Sequence, residues 1–315
     1  MQTLKFIDLF CGIGGFRYAF QQAAAERGLA CSCKLSSDID PMCAKAYKAN
    51  FGEELLGDIR KLDAKDVPDH DVLLAGFPCQ PFSIFGQGKG FEDTRGTLFF
   101  EIVRILEAKK PAAFVLENVK RLKTHDNGRT LKTILATLRK LGYKTQYRVL
   151  DAIDFGLPQR RGRIWITGFK DKNAKFSWPE GGIPMKPLEE ILEKDVPQSF
   201  YASENIRRKR LAAKVKNMPK GASIWHENKS GNISAHPYSC ALRAGSSYNY
   251  LLVNGERRLT PKELLRLQGF PEDFKEACGY IHIRKQAGNS LPVNVAQAVI
   301  GKVLDALAKT KDSNR

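Results

Sequence analysis

Leu4-Lys5-Phe6-Ile7-Asp8-Leu9-Phe10 followed by Cys11-Gly12-Ile13-Gly14-Gly15 reads as a strand that runs into a tight glycine turn. A helix pattern from about Phe16 to Arg27 continues it. Glycines in such a βα turn let the backbone approach a ligand at the helix N-terminus, although the spacing is not the Gly-x-Gly-x-x-Gly of dinucleotide folds. A second strand around Lys34 to Ser37 then ends in Asp38-Ile39-Asp40, and Pro41 opens a helix through Asn50. Asp38 stands where an acid following the second strand can hold a pair of ribose hydroxyls. Asp40, directly before Pro41, reads better as a helix N-cap. A short third strand is expected to reach Gly57-Asp58-Ile59, where Asp58 either meets the base of an adenosine or caps a turn. The alternation of strand and helix predicts an α/β fold with a mostly parallel sheet.

The apolar run Asp71-Val72-Leu73-Leu74-Ala75 predicts a buried strand leading into Gly76-Phe77-Pro78-Cys79-Gln80-Pro81-Phe82-Ser83. Cys79 therefore sits at a strand end, on the edge where open α/β sheets bind ligands. A cysteine there is either a small buried hydrophobe or a nucleophile. The flanking prolines remove backbone donors and fix φ, which suits a rigid loop better than a packed strand. Ile84 to Gly96 holds four glycines in thirteen residues and carries Lys89 and Arg95. It reads as a flexible linker or, joined directly to Cys79, as a lid over an anionic substrate. After a helix from about Thr97 to Ala108, the strand Ala112 to Leu116 ends in Glu117-Asn118-Val119. Glu117 shares the sheet edge of Cys79 and is either a solvated loop residue or a working acid. A helix from roughly Thr130 to Leu141 and a strand near Tyr147 to Leu150 precede Gln159-Arg160-Arg161-Gly162-Arg163, which runs into the strand Ile164 to Phe169. Its arginines form a surface run or supply planar donors to a carbonyl oxygen or phosphate.

Past Lys170 the alternation stops. Arg207-Arg208-Lys209-Arg210, with Lys214, Lys216 and Lys220, is a solvated helix face or a contact to a phosphate backbone. Ser223 to Asn254 has the look of an irregular β-rich module. Thr260-Pro261-Lys262-Glu263 has the spacing of a capping box at the start of a helix stopped by Gly269-Phe270-Pro271. A last helix follows Gly288-Asn289-Ser290, and its stripe of Ala296, Val299, Ile300, Val303, Leu304 and Leu307 is expected to pack back on the first domain.

With 51 Lys+Arg against 34 Asp+Glu, the formal charge of +17 favours a polyanionic partner, nucleic acid first. The seven cysteines are odd in number and irregularly spaced, which fits reduced thiols rather than a disulfide framework. No Cys-x-x-Cys or His-Glu-x-x-His occurs, so a metal site is not expected. No apolar run approaches a membrane span and the start of the chain lacks a signal-peptide core, so a cytoplasmic location without membrane attachment is expected.

Taken together these segments resemble the DNA (cytosine-5)-methyltransferase family of bacterial restriction-modification systems. The stretches that carry the resemblance are Phe6 to Gly15, Gly57 to Ile59, Gly76 to Ser83, Glu117 to Val119, Gln159 to Arg163, Arg258 to Pro261 through Leu267 to Pro271, and Gly288 to Ser290. They stand in the family's order over nearly the whole chain. Cys11 departs from the family, which often has alanine or another small residue there, but the glycines set the turn.

The resemblance implies a Rossmann-like S-adenosylmethionine-dependent methyltransferase domain, residues 1–172 completed by 286–315, and a smaller irregular β-rich target-recognition domain with hinge, residues 173–285. It implies S-adenosylmethionine as methyl donor, with S-adenosylhomocysteine as product and no metal. Phe10, Gly12, Ile13, Gly14, Asp38, Ile39, Asp58, Ile59, Pro78, Leu98, Asn289 and Ser290 match the positions around it. Cys79 would be the nucleophile that adds to cytosine C6, Glu117 the acid at N3, and Arg163, with Arg161 beside it, the donor to O2. The target base must leave the duplex to meet them. Ser83, Lys89, Arg95, Arg207, Arg208 and Arg210 are the expected DNA contacts. Double-stranded DNA is the expected partner, a cognate restriction endonuclease acting on the same site a second one, and the chain is expected to be a monomer. A transfer-RNA cytosine-5 methyltransferase and a catalytically dead DNA-binding regulator are the alternatives. A zinc cytidine deaminase is disfavoured because Gln80-Pro81 follows Cys79 and no second metal-ligand cysteine does.

Overall fold

The computed structural model describes residues 3–77 and 98–313. Pro78, Cys79, Ser83, Lys89 and Arg95 lie outside the described residues. The chain divides into two compact units, one of Met1–Leu150, Gly162–Glu180 and Ala296–Arg315, the other of Asp151–Arg161 and Gly181–Val295.

The first unit alternates β1 (Leu4–Leu9), α1 (Gly15–Ala25), β2 (Cys31–Ser37), α2 (Pro41–Phe51), β3 (Val72–Gly76), α3 (Leu98–Lys109), β4 (Ala113–Val119), α4 (Arg129–Lys140) and β5 (Lys144–Asp151). After β6 (Gln159–Arg160), which belongs to the second unit, it gains β7 (Gly162–Phe169). The strands order as β2-β1-β3-β4-β7-β5, parallel from β2 through β4, with β7 antiparallel to β4. Val72, Leu73, Leu74 and Ala75 are wholly buried, as expected of a parallel strand covered on both faces. Each helix presents a stripe to the core at helical spacing, Phe99, Ile102, Ile105 and Leu106 on α3 and Leu131, Ile134, Leu135 and Leu138 on α4. Helix α2 starts as its sequence predicts, with Asp40 accepting the Met42 N–H and Pro41 in the first turn.

Gly14 occupies the N-cap of α1 at φ 86°, and a Cβ there would lie 2.3 Å from Phe51 Cε2. Left-handed strain and overpacking combine, so Gly14→Ala is expected to lower unfolding free energy by about 2–4 kcal/mol. Urea unfolding checks this, and a loss below about 0.5 kcal/mol, the size of an ordinary surface change, would contradict it.

Two boundaries differ from expectation. No strand covers Gly57 to Ile59: Ser37 and Leu56 form an isolated bridge, after which Asp58 accepts the Arg60 N–H and caps a 3-10 turn over Ile59–Lys61. Asp58 thus caps a turn. Strand β4 runs on through Glu117 to Val119 instead of stopping at Leu116, because β7 pairs with it as far as Val119 and Arg163.

The second unit contains α5 (Leu188–Ile191), α6 (Glu204–Leu211), β8 (Ile224–Glu227), β9 (Ile233–His236), β10 (Ser239–Cys240), β11 (Leu251–Val253), α7 (Pro261–Leu267) and α8 (Tyr280–Asn289). The irregular module is an antiparallel sheet of order β11-β8-β9 over a core of Ala202, Trp225, Ala235 and Leu252. Strand β10 pairs in parallel with β6. The capping box of α7 is present, Thr260 and Glu263 each meeting the other's main chain. Helix α9 (Val293–Ser313) passes from the second unit into the first, where Ala296, Val299, Ile300, Val303 and Leu304 of its stripe are buried and Asp305 accepts the Arg27 Nε–H at 2.7 Å. Tyr280–Thr310 is long and apolar enough by composition to cross a membrane, but Ser290–Pro292 break the helix and 61% of the most apolar window is buried in the protein.

Candidate active site

The β4 and β7 register places Trp165 opposite Glu117 and Arg163 opposite Val119. Glu117 and Arg163 are therefore diagonal neighbours on one face of the pair. Arg163 Nε lies 3.0 Å from Glu117 Oε1, with the two side chains 13% and 12% exposed. Low exposure strengthens their attraction and leaves each costly without the other. Gly76, the last residue of β3, pairs in register with Glu117, and a Cβ there would stand 3.7 Å from Glu117 Oε2. The strand leading toward Pro78 and Cys79 thus ends against the carboxylate. Asn118 is buried, donates through Nδ2 to the Phe77 carbonyl at 2.9 Å, and accepts the Val119 N–H at 2.8 Å. It anchors the final described residue before Pro78. Sequence reasoning assigned Asn118 no role; its signal was an amide inside an apolar strand, which must find partners when buried.

At the end of β1, Phe10, Gly12 and Gly14 take φ of 57°, 55° and 86°, turning the chain into α1. The Cys11 N–H donates to the Ser37 carbonyl at 3.0 Å, binding the turn to the end of β2. Asp38 then accepts the Gly12 N–H and the Asp40 N–H, each at 2.9 Å. Beneath the turn Asp8 is fully buried, and burial pushes its carboxyl well above the usual range while Oδ2 accepts the Arg17 N–H. Cys11 is buried and its thiol pushed up by the same cause, so it packs as a neutral small group.

These residues fit a nucleoside. A Cβ at Gly12 would meet nothing within 4 Å, leaving main chain open to a ligand. Ile39 is 71% exposed directly after Asp38, an apolar face beside an acid, as a base and its ribose require. Phe10 and Leu98, the latter opening α3, are half-buried. The other expected cofactor contacts differ in surroundings. Ile13 and Ile59 are 2% exposed, and Ile59 belongs to the hydrophobic core. Asp58 is held by the Arg60 guanidinium, which pulls its carboxyl down to about 2. Asn289 is exposed and Ser290 half-buried where α8 ends.

Two arginines are placed otherwise than expected. Arg161 is 1% exposed and donates to the main-chain carbonyls of Leu242, Gly288 and Ser290. Its planar fork serves protein carbonyls, whereas Arg163, two residues on, faces Glu117. Arg210 points into the second unit, 2% exposed, and donates to the Asn249 carbonyl at 2.7 Å and to Glu227. It cannot be the surface DNA contact it was expected to be. Helix α6 turns Arg208 outward and leaves Arg207 half-buried, so one basic run serves both solvent and core. Gln159 and Gln268, each wholly buried, are further polar groups that lie in the motif stretches but carry no role in the sequence reading.

Residues 4–305 match the family described as C-5 cytosine-specific DNA methylase. The chain is 56% identical over 296 residues to the Type II methyltransferase M.NgoBI of Neisseria gonorrhoeae, covering 93% of this chain and 91% of that protein. It is 53% identical over 309 residues to the Type II methyltransferase M.HaeII of Haemophilus aegyptius, covering 98% and 95%. Its backbone matches a DNMT2 mutant of Spodoptera frugiperda with a TM-score of 0.72 at 21% identity, spanning 97% of this chain and 100% of that one, a likeness of fold. The matched span includes both units, and the chain belongs to the C-5 cytosine-specific DNA methylase family as a DNA (cytosine-5)-methyltransferase.

Proposed function

We propose that this enzyme methylates carbon 5 of a flipped-out cytosine within a short specific sequence of double-stranded DNA, through a covalent bond between Cys79 Sγ and cytosine C6. The observation that carries the reading is the Glu117–Arg163 pair at the end of the strand before Cys79. Cys79 follows Gly76 by three positions, with Phe77 and Pro78 between, and three steps of chain reach no further than about 10 Å. The Cys79 thiolate adds to C6 and disrupts the aromatic ring, which moves electron density to C5. Glu117 gives a proton to N3, and Arg163 donates to the carbonyl oxygen at C2, so charge pushed into the ring is met by fixed partners. S-adenosylmethionine supplies an electrophilic methyl group when bound. Loss of the C5 proton, with water as base, then re-forms the C5–C6 double bond and breaks the C6–Sγ bond so that Cys79 leaves as thiolate, and the N3 proton returns to Glu117.

Gly12, Asp38 and Ile39 would hold the nucleoside end of that cofactor, with Asn289 and Ser290 among its further contacts. Asp38→Ala removes the ribose acceptor and the bond to Gly12, and is expected to weaken S-adenosylhomocysteine binding by about 10–100-fold, as for a lost hydrogen bond to a charged group. Calorimetric titration reads this directly; an unchanged affinity would take Asp38 out of the site.

The charge of +17 supports DNA as the macromolecular substrate. The name Type II methyltransferase carried by relatives at 56% and 53% identity favours a site shared with a cognate endonuclease, a bacterial cytoplasmic location on the nucleoid, and DNA over transfer RNA. We take the working form to be a monomer. Incubating a random-sequence plasmid and, separately, transfer RNA with enzyme and methyl donor, then mapping 5-methylcytosine, tests the proposal. Modified cytosines in one short motif of the plasmid support it, whereas label in RNA alone, or at scattered DNA sites, overturns it.

A further inference from the structure

In the second unit, the short loop Leu242 to Tyr248 is tied by side chains to α7 and to the segment that ends in Gly288-Asn289-Ser290. Gln159, wholly buried, accepts the Leu242 N–H at 3.0 Å through Oε1 and donates through Nε2 to the Leu267 carbonyl at 2.7 Å and to Gln268 Oε1 at 3.3 Å, and Gln268 in turn donates to the Ala287 carbonyl on α8. Arg161 donates to the Leu242 carbonyl at 2.8 Å and, from its other nitrogen, to the carbonyls of Gly288 at 2.9 Å and of Ser290. Both polar groups of Leu242 are thus held by side chains two residues apart. A Cβ at Gly288 would lie 2.3 Å from Ala244 N, so the loop's main chain rests directly on the end of α8. One turn earlier on α8, Arg284 donates to the carbonyls of Ser246 and Ser247 at 3.0 and 3.1 Å, and its guanidinium lies 4.1 Å from the Tyr248 ring centroid.

These attachments use mostly the loop's main chain. Arg243, Ser247 and Tyr248 keep exposed side chains, and an exposed guanidinium is the group best suited to a guanine edge. A loop laid along the last turns of a helix and clamped by buried side chains cannot shift without carrying the helix end with it, because packed interiors resist continuous deformation.

We propose that Gln159, Arg161 and Arg284 are positioning residues that make Leu242 to Tyr248 and Gly288 to Ser290 move as one piece, so that engagement of the loop by the correct DNA sequence alters the grip of the turn on the cofactor. This rests on the reading of Asn289 and Ser290 as cofactor contacts. Linkage makes the effect reciprocal: if the right sequence tightens cofactor binding, the cofactor sharpens sequence choice by the same factor.

The test titrates S-adenosylhomocysteine into the full-length protein alone, with saturating duplex carrying the mapped target, and with a duplex changed at one base pair of it. The wild type is expected to show an affinity about tenfold higher with the correct duplex than with the altered one. Gln159→Leu and Arg284→Ala, which cut different attachments, should each bring that preference to within about twofold while the affinity without DNA stays within about threefold of wild type. Either folded variant keeping the full preference overturns the coupling. Both losing affinity equally with and without DNA also overturns it, since they would then only support the turn. Asn289→Ala separates the underlying reading: an unchanged affinity without DNA shows that the turn does not hold the cofactor, and the inference falls with it.

Discussion

Cys79→Ser is expected to abolish turnover while leaving DNA and S-adenosylhomocysteine binding intact. A serine hydroxyl keeps its proton at neutral pH and is a poor nucleophile, whereas a thiol is partly ionised and its sulfur intrinsically reactive. Without addition at C6, cytosine C5 stays part of an aromatic ring with no density to give. A loss of at least about 10⁴-fold in the single-turnover rate corresponds to a barrier increase of roughly 5.4 kcal/mol. The replacement is nearly isosteric and the carboxylate–guanidinium pair it would serve is built on β4 and β7, so binding should survive. Transfer of labelled methyl to a duplex bearing the mapped target gives the rate, and calorimetry gives the affinities. Methylation at more than a hundredth of the wild-type rate would remove Cys79 from the nucleophile's role.

Glu117→Gln should slow methyl transfer by about 10²–10⁴-fold, the range for a lost general acid. The structure adds a second consequence. Arg163 faces Glu117 across 3.0 Å with little exposure, so the neutral amide leaves the guanidinium without its counter-charge. Stability should fall by about 1–3 kcal/mol, below the loss for a fully buried pair because both groups retain some solvent. Rate and stability are separable: chemistry is read in a single turnover with enzyme in excess, and folding in urea. An unchanged single-turnover rate would rule Glu117 out as the acid even if stability dropped.

Much of the first unit was legible because its signals are local. Glycines with positive φ at Gly12 and Gly14, the cap Asp40-Pro41 and the apolar stripes of α3 and α4 depend on residues within a few positions of one another. The Gly57 to Ile59 segment misled for the same reason, as Asp58 meets its own neighbour Arg60 and closes a turn where an extended strand was expected. Helix α8 escaped notice because it is capped by glycine with no side-chain bond and has no clean apolar stripe.

The sequence by itself determined the α/β alternation, the acid after β2 and the presence of a cysteine, a glutamate and an arginine in segments that lead to one sheet edge. Only the tertiary structure decided which members of each polar run are buried on main-chain carbonyls and which face another side chain or solvent. Arg161 and Arg163 look alike in sequence, as do Arg208 and Arg210. Yet Arg161 finds carbonyls 81 and 127 positions away, and Arg210 a carbonyl 39 positions away, while Arg163 is left facing Glu117. A guanidinium's surroundings are set by strand register and by backbone groups brought in from distant segments, and its burial is tolerable only when those groups satisfy its donors. No local pattern encodes that, because the deciding partners are main-chain carbonyls that every residue carries.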